Sequence, residues 1–173
     1  MVRKDGTLQG REFVFFCEDQ LMAALPAGFP QPQRRVMWTI LQLSYADPAF
    51  HFELQPLMGR SQVELGLHFE GPLDENERWA SEVADRALTL MAALGPGWDL
   101  EEWTPSWRRL HRVFHFTRFD LDFAREVAGQ FTTLVTTLQP LFGPTATPQE
   151  PLVRVIGGKG RSERWHNRSR ARR

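Results

Sequence analysis

The feature that most constrains the fold is a pair of alternating runs. His51-Phe-Glu-Leu-Gln55 places polar and apolar side chains in turn, and Val63-Glu-Leu-Gly-Leu-His-Phe-Glu70 does the same. A period of two is the mark of a strand with one face in the core and the other turned away from it. The segment between the runs, Pro56 to Gln62, contains Gly59 and suits a hairpin, though it is longer than the tightest turns. Phe52, Leu54, Val63, Leu65, Leu67 and Phe69 then point inward. His51, Glu53, Gln55, Glu64, His68 and Glu70 point the other way.

The chain beyond this hairpin extends the pattern. Asp74 can cap a helix over Glu75–Leu94, with Glu77 in the place of a capping box, and Gly95-Pro96-Gly97 ends it. Trp79, Val83, Leu90 and Leu94 line one stripe of that helix. A second hairpin is expected from Trp98–Trp103 and Leu110–Phe116, with Pro105 in the turn. Asp120 then caps a helix over Leu121–Leu138, where Val127, Phe131, Leu134 and Leu138 recur at helical spacing. Hairpin, helix, hairpin, helix is a ββα duplication in element order. Upstream, Phe13, Phe16, Leu21 and Ala24 predict a helix over Arg11–Leu25, stopped by Pro26 to Pro30. Val36, Ile40 and Leu43 share a helical face and predict a second helix over Gln33–Tyr45.

The expected fold is therefore α+β. An antiparallel sheet of about four strands, built from two ββα units, carries helices on one face, preceded by two N-terminal helices and followed by a basic C-terminal tail. A flexible N-terminus (1–9) precedes a single domain (10–143). Pro144, Pro148 and Pro151 mark a linker into the tail (144–173), in which Leu152–Ile156 could add a short strand. A chain of 173 residues fits this one-domain organisation. No run approaches the ~18 apolar residues of a membrane span. The charged start and the lone Cys17 fit a reducing, cytoplasmic setting, without disulfide or cysteine-zinc cluster.

Net charge is zero, but it is unevenly spread. Residues 154–173 hold eight basic residues against Glu163, a net +7, which leaves −7 on residues 1–153. Such segregation says more than the total. Lys159, Arg161, Arg164, Arg168, Arg170, Arg172 and Arg173 have the charge density to attract a phosphate backbone, and Trp165 could stack on an unpaired base. The same tail could equally strap across the acidic body. Trp103 and Trp107, with Arg108, Arg109 and Arg112, form a secondary candidate surface, or else close the end of the core with arginine stems over the rings.

The polar sheet face supplies the other candidate site. His51, His68, His111 and His115 fall on it beside three glutamates. Imidazole and carboxylate can hold a divalent metal or exchange protons, so His68, Glu64, Glu53 and His115 are the candidate catalytic set. The same residues are also what a solvated strand face carries, and Glu opposite His is a favourable cross-strand pair. No HExxH or other metal motif occurs, so neither metal nor cofactor is expected from the sequence. Cys17, within a Phe-rich segment, reads as a small core residue. Gly157-Gly-Lys-Gly160 lacks the Ser or Thr of a phosphate loop.

Two segments, HFELQPLMGRSQVELGLHFEG and GPGWDLEEWTPSWRRLHRVF, resemble a set of short uncharacterised bacterial proteins. In these a hairpin ending in a GLHFE-like strand precedes a helix and a Trp-containing segment. The likeness covers roughly residues 33–142 and implies a compact α+β domain, with no chemistry to carry over.

The residues support three functional expectations. The first is a non-enzymatic binding protein that contacts DNA or RNA through its tail. The second is a metal-dependent hydrolase using the His/Glu face. The third is a protein-interaction module or homodimer.

Overall fold

The computed structural model describes residues 6–142. Helix α1 (Gly10–Ala24) is followed by β1 (Gln33–Met37), β2 (Ile40–Ser44), β3 (Phe50–Leu57) and β4 (Gln62–Phe69). Then come α2 (Leu73–Asp85), α3 (Ala87–Leu94), β5 (Asp99–Glu102), β6 (Arg108–His115) and α4 (Leu121–Leu138). The six strands form one antiparallel sheet in the order β1-β2-β3-β4-β6-β5. The α+β class, the two hairpin–helix units and the alternation of faces are as expected.

Several expectations need correction. The sheet has six strands rather than four, and one helix precedes it rather than two. Gln33–Tyr45 is not helical; it contributes the β1–β2 hairpin instead. Val36, Ile40 and Leu43 do fit a helical stripe, but Leu41, Leu43 and Tyr45 also alternate. The strand solution buries Leu41 and Leu43 completely, against Leu54 and Phe52 of β3. Trp38 and Thr39 make the turn, and the positive φ of Trp38 alone (56°) is the type II′ pattern that hairpin twist favours.

The expected helix over Glu75–Leu94 is two helices that break at Arg86, whose φ and ψ (−105°, 10°) depart from helical values. It begins earlier than expected, after Pro72, and Asp74 is not its cap. Asp74 and Glu75 instead lie in the first turn, where acids suit the helix dipole. Asp120 does cap α4, accepting from the Phe123 amide at 3.2 Å. At the start of α1, Glu12 reaches back to accept from the Gln9 amide at 2.9 Å. Thr7 and Leu8 lie inside the span expected to be flexible. Leu8 is buried, and its amide donates to the Phe119 carbonyl at 2.7 Å.

All four helices share a single apolar core with the inward sheet face. Phe13, Val127, Phe131 and Leu134 meet Leu54, Val63 and Leu65 there, each fully buried. Each such side chain contributes about 1.5–3 kcal/mol by leaving water. Ion pairs fasten the rim: Arg34 of β1 to Glu18 of α1 at 3.2 Å, and Arg108 of β6 to Glu77 of α2. Among the described residues no helix is long and apolar enough to cross a membrane. The linker, Leu152–Ile156 and the basic tail lie outside the described residues.

Candidate metal centre on the polar sheet face

The face opposite the helices is unusually well buried for a polar one. His51, Glu53, Glu64 and His68 are all buried, and His68 is only 1% exposed. Hairpin register explains their meeting. Once Leu57 pairs with Gln62, His51 stands directly across from His68 and Glu53 across from Gly66. On the other side of β4, Gly66 faces His111 and His68 faces Arg109. Gly66 is what lets the His68 ring lie along the strand. A Cβ there would come within 2.9 Å of His68 Nε2 and 3.2 Å of the Leu110 carbonyl. Trp103 covers His68 edge-on, with ring centroids 5.2 Å apart, and the Arg109 guanidinium lies over Trp103 at 4.9 Å.

The hydrogen bonds fix individual atoms. His51 Nδ1 lies 2.9 Å from the Pro48 carbonyl, which can only accept, so Nδ1 carries a proton. Nε2 is then a lone pair in the neutral ring, and in the imidazolium an N–H directed at Glu53 Oε2, 3.5 Å away. The Gln42 amide donates to Glu53 Oε2 at 2.9 Å and faces His51 Nε2 at 3.0 Å. Burial alone would raise the Glu53 carboxyl. The His51 hydrogen bond, the His68 charge and the Gln42 amide together outweigh it and hold Glu53 below the usual carboxylate range. Glu64 behaves alike: burial raises it, but the His111 ring, 3.6 Å away, and the Arg109 charge prevail and lower it. Arg109 Nη1 donates to Glu64 at 2.6 Å, and the same guanidinium binds Glu101.

Within this network, one ligating atom each from His51, His68 and Glu70 lies within 4.8 Å of the others. Two imidazole nitrogens and a carboxylate oxygen are a zinc-type donor set; calcium and magnesium prefer oxygen alone. Bonds of ~2.1 Å in a tetrahedron put ligand atoms roughly 3.4 Å apart, so side-chain rotation of about 1 Å would close the trio on an ion. The outer partners are already placed. The Pro48 carbonyl orients His51. His68 Nδ1 lies 3.5 Å from Glu70, while its buried Nε2 has no hydrogen-bond partner among the described residues and stands 3.8 Å from the Glu64 carboxylate. A metal on Nδ1 would leave the proton on Nε2, facing that carboxylate, and a carboxylate is a usual outer partner of a metal-bound histidine.

The sequence-derived candidates divide accordingly. His68, Glu64 and Glu53 do come together. His115 pairs with Gln62 at the far end of β6, is exposed, and stands apart from them. His111 takes the neighbouring place instead, 3.2 Å from Glu101 and 3.6 Å from Glu64. His51 and Glu70, both assigned to this face by alternation, are the members of the trio that the candidate catalytic set left out. The signal for them was the hairpin register. On the secondary surface, Arg108 is buried against Glu77, Arg109 is held by two glutamates, and Arg112 lies over Phe114 at 4.5 Å. Trp103 and Trp107 pack together with centroids 5.8 Å apart. Lys159, Arg161, Arg164, Trp165, Arg168, Arg170, Arg172 and Arg173 lie outside the described residues.

Compared with known proteins, the chain matches no family model, no curated protein and no solved structure.

Proposed function

We propose that this chain binds a divalent transition-metal ion, of the zinc type, between His51, His68 and Glu70 on the sheet face opposite the helices. The observation that supports this reading is the convergence of one ligating atom from each of the three within 4.8 Å. The locked His51 tautomer and the Glu64 carboxylate standing toward His68 Nε2 add to it. Three protein ligands leave a coordination position for water, the arrangement on which metal-dependent hydrolysis would build.

The test is calorimetric titration of the metal-free full chain with zinc. One ion per chain is expected. Glu70→Gln keeps the shape of a half-buried side chain and should weaken binding by at least ~10-fold, the lower end of what even the loss of an outer partner costs. His115→Ala should leave it unchanged. Wild-type zinc affinity in a folded Glu70→Gln protein would place the ion elsewhere and end the proposal.

A second reading, nucleic-acid binding through residues 157–173, is favoured by the +7 charge of residues 154–173 against −7 on the rest. Fluorescence polarisation with labelled DNA and RNA checks it. Affinity should fall steeply between low and physiological salt and disappear when residues 157–173 are removed. Salt-insensitive binding, or binding retained by the shortened chain, would count against it.

A further inference from the structure

The helices all pack on the apolar face of the sheet, so no helix among the described residues covers the polar one. Charge on that open face is one-sided. Across β3, β4, β6 and β5 it carries Glu53, Glu64, Glu70, Asp99 and Glu101 against Arg109 alone. Glu53 and Glu64 are buried and held by Gln42, His51 and Arg109. Asp99 and Glu101 stand exposed on the edge strand β5. Trp103, just beyond β5, is 41% exposed. Arginine recognises both kinds of group, because its fork matches a carboxylate and its planar cation stacks on an indole. Arg109 already shows the mode. Glu64 and Glu101 hold its guanidinium, which lies over the Trp103 ring at 4.9 Å.

The chain itself supplies more of this cation. The described residues end at Phe142, whose ring packs against Phe69 at 5.9 Å and Trp79 at 5.0 Å. Phe69 follows His68 in β4 and pairs with Arg108, next to Arg109 in β6. The chain therefore leaves the described fold at the end of the sheet that bears Glu70, Glu101 and Trp103. Residues 143–153 span roughly 35 Å when extended. Strand β5 lies two strand spacings from β4, about 10 Å. Residues 154–173, with a net charge of +7 against −7 on the rest of the chain, are thus tethered within reach of the acidic face.

We infer that residues 154–173 dock on the polar sheet face of their own chain, over β6 and β5, as an arginine-rich strap. Their guanidinium groups pair with Asp99 and Glu101 and lie against the exposed side of Trp103. The inference goes beyond both readings above and depends on neither. It rests on three observations: an uncovered sheet face with an excess of carboxylates, an arginine already seated there between glutamates and an indole, and the exit of the chain at the same end of the sheet.

The test uses the metal-free full chain with a nitroxide spin label on Ser169→Cys. Cys17 is fully buried and stays out of the labelling reaction. At low salt, paramagnetic broadening should be strongest at the Asp99–Glu102 amides and the Trp103 indole N–H. The Trp38 indole, at the opposite end of the sheet and 91% exposed, should stay sharp. Broadening should disappear in 1 M salt, where the screening length falls to about 3 Å. The double variant Asp99→Asn, Glu101→Gln changes only exposed side chains of an edge strand, so the fold should persist. It should lose about half or more of the broadening, as expected for two exposed ion pairs. Equal broadening at Trp38 and Trp103, or none at either, would overturn the docking. Undiminished broadening in the double variant would overturn the role of the carboxylates. Spin-labelled chains mixed with isotope-enriched, unlabelled ones should give no broadening; the same broadening in that mixture would mean that the segment docks on a second copy instead.

Discussion

At Gly66 the backbone of β4 runs directly beneath an imidazole. The added methyl of Gly66→Ala would meet both a ring atom and a carbonyl, and the carbonyl belongs to β6 and cannot swing aside. The His68 ring must therefore leave its place, parting from Trp103 and Glu64 together. Overpacking of this kind costs about 1–3 kcal/mol. A urea midpoint lowered accordingly, with zinc affinity lost in the same variant, is the expected result. Cys17 gives a second prediction. It is fully buried, its thiol donates weakly to the Ala124 carbonyl at 3.5 Å, and burial pushes its pKa up. The reactive thiolate is therefore scarce. A thiol reagent should label it slowly in the native protein and rapidly in denaturant, and prompt native labelling would contradict the packing described. The core role of Cys17 was legible from its Phe-rich neighbours. The partners of His51 were not, because they come from β2, β4 and the Pro48 turn.

Individual elements show where local pattern decides and where it does not. Helix α4 was readable to the residue because its cap, period and length agree. The β1–β2 hairpin was not, because its turn lacks the Asn-Gly or Asp-Gly signal and uses Trp38 instead. That side chain is 91% exposed, so no burial offsets its left-handed backbone. For an L-residue this conformation costs about 1–2 kcal/mol. Trp38→Gly should therefore stabilise the hairpin, by about 0.5–1 kcal/mol once the greater freedom of glycine in the unfolded chain is set against the relief. A lowered melting temperature would mean that Trp38 has packing partners beyond those described. The α2–α3 break escaped notice for a related reason. The run from Leu73 to Leu94 has no Gly or Pro inside it. Its interruption at Arg86 comes from how the two halves meet different neighbours, α2 lying against β4 and β6 and α3 against α4.

Across the whole molecule, alternation determined which residues share a face, while register determined which of them touch. The first is written in the sequence with period two. The second depends on where each loop closes. Met58–Arg60 and Ser61 turn the chain so that Leu57 meets Gln62, and this alone sets His51 against His68. The contact of β4 with β6 spans the whole of α2, α3 and β5, so no local signal could tell that His111, and not His115, would join Glu64.

The placement of β4 has a consequence for how the molecule comes apart. It is hydrogen-bonded to strands on both sides, and seven of its eight residues are buried, on the polar face as well as the apolar one. Local opening begins where such protection is least. In hydrogen–deuterium exchange the amides of Val63 to Phe69 should therefore be the last to take up deuterium, exchanging only as the whole fold opens. Those of the edge strand β5, whose four residues are all exposed, should go early. The strand that carries Glu64 and His68 is thus the kinetic keystone, and the polar face should outlast the edges of the sheet as the protein unfolds.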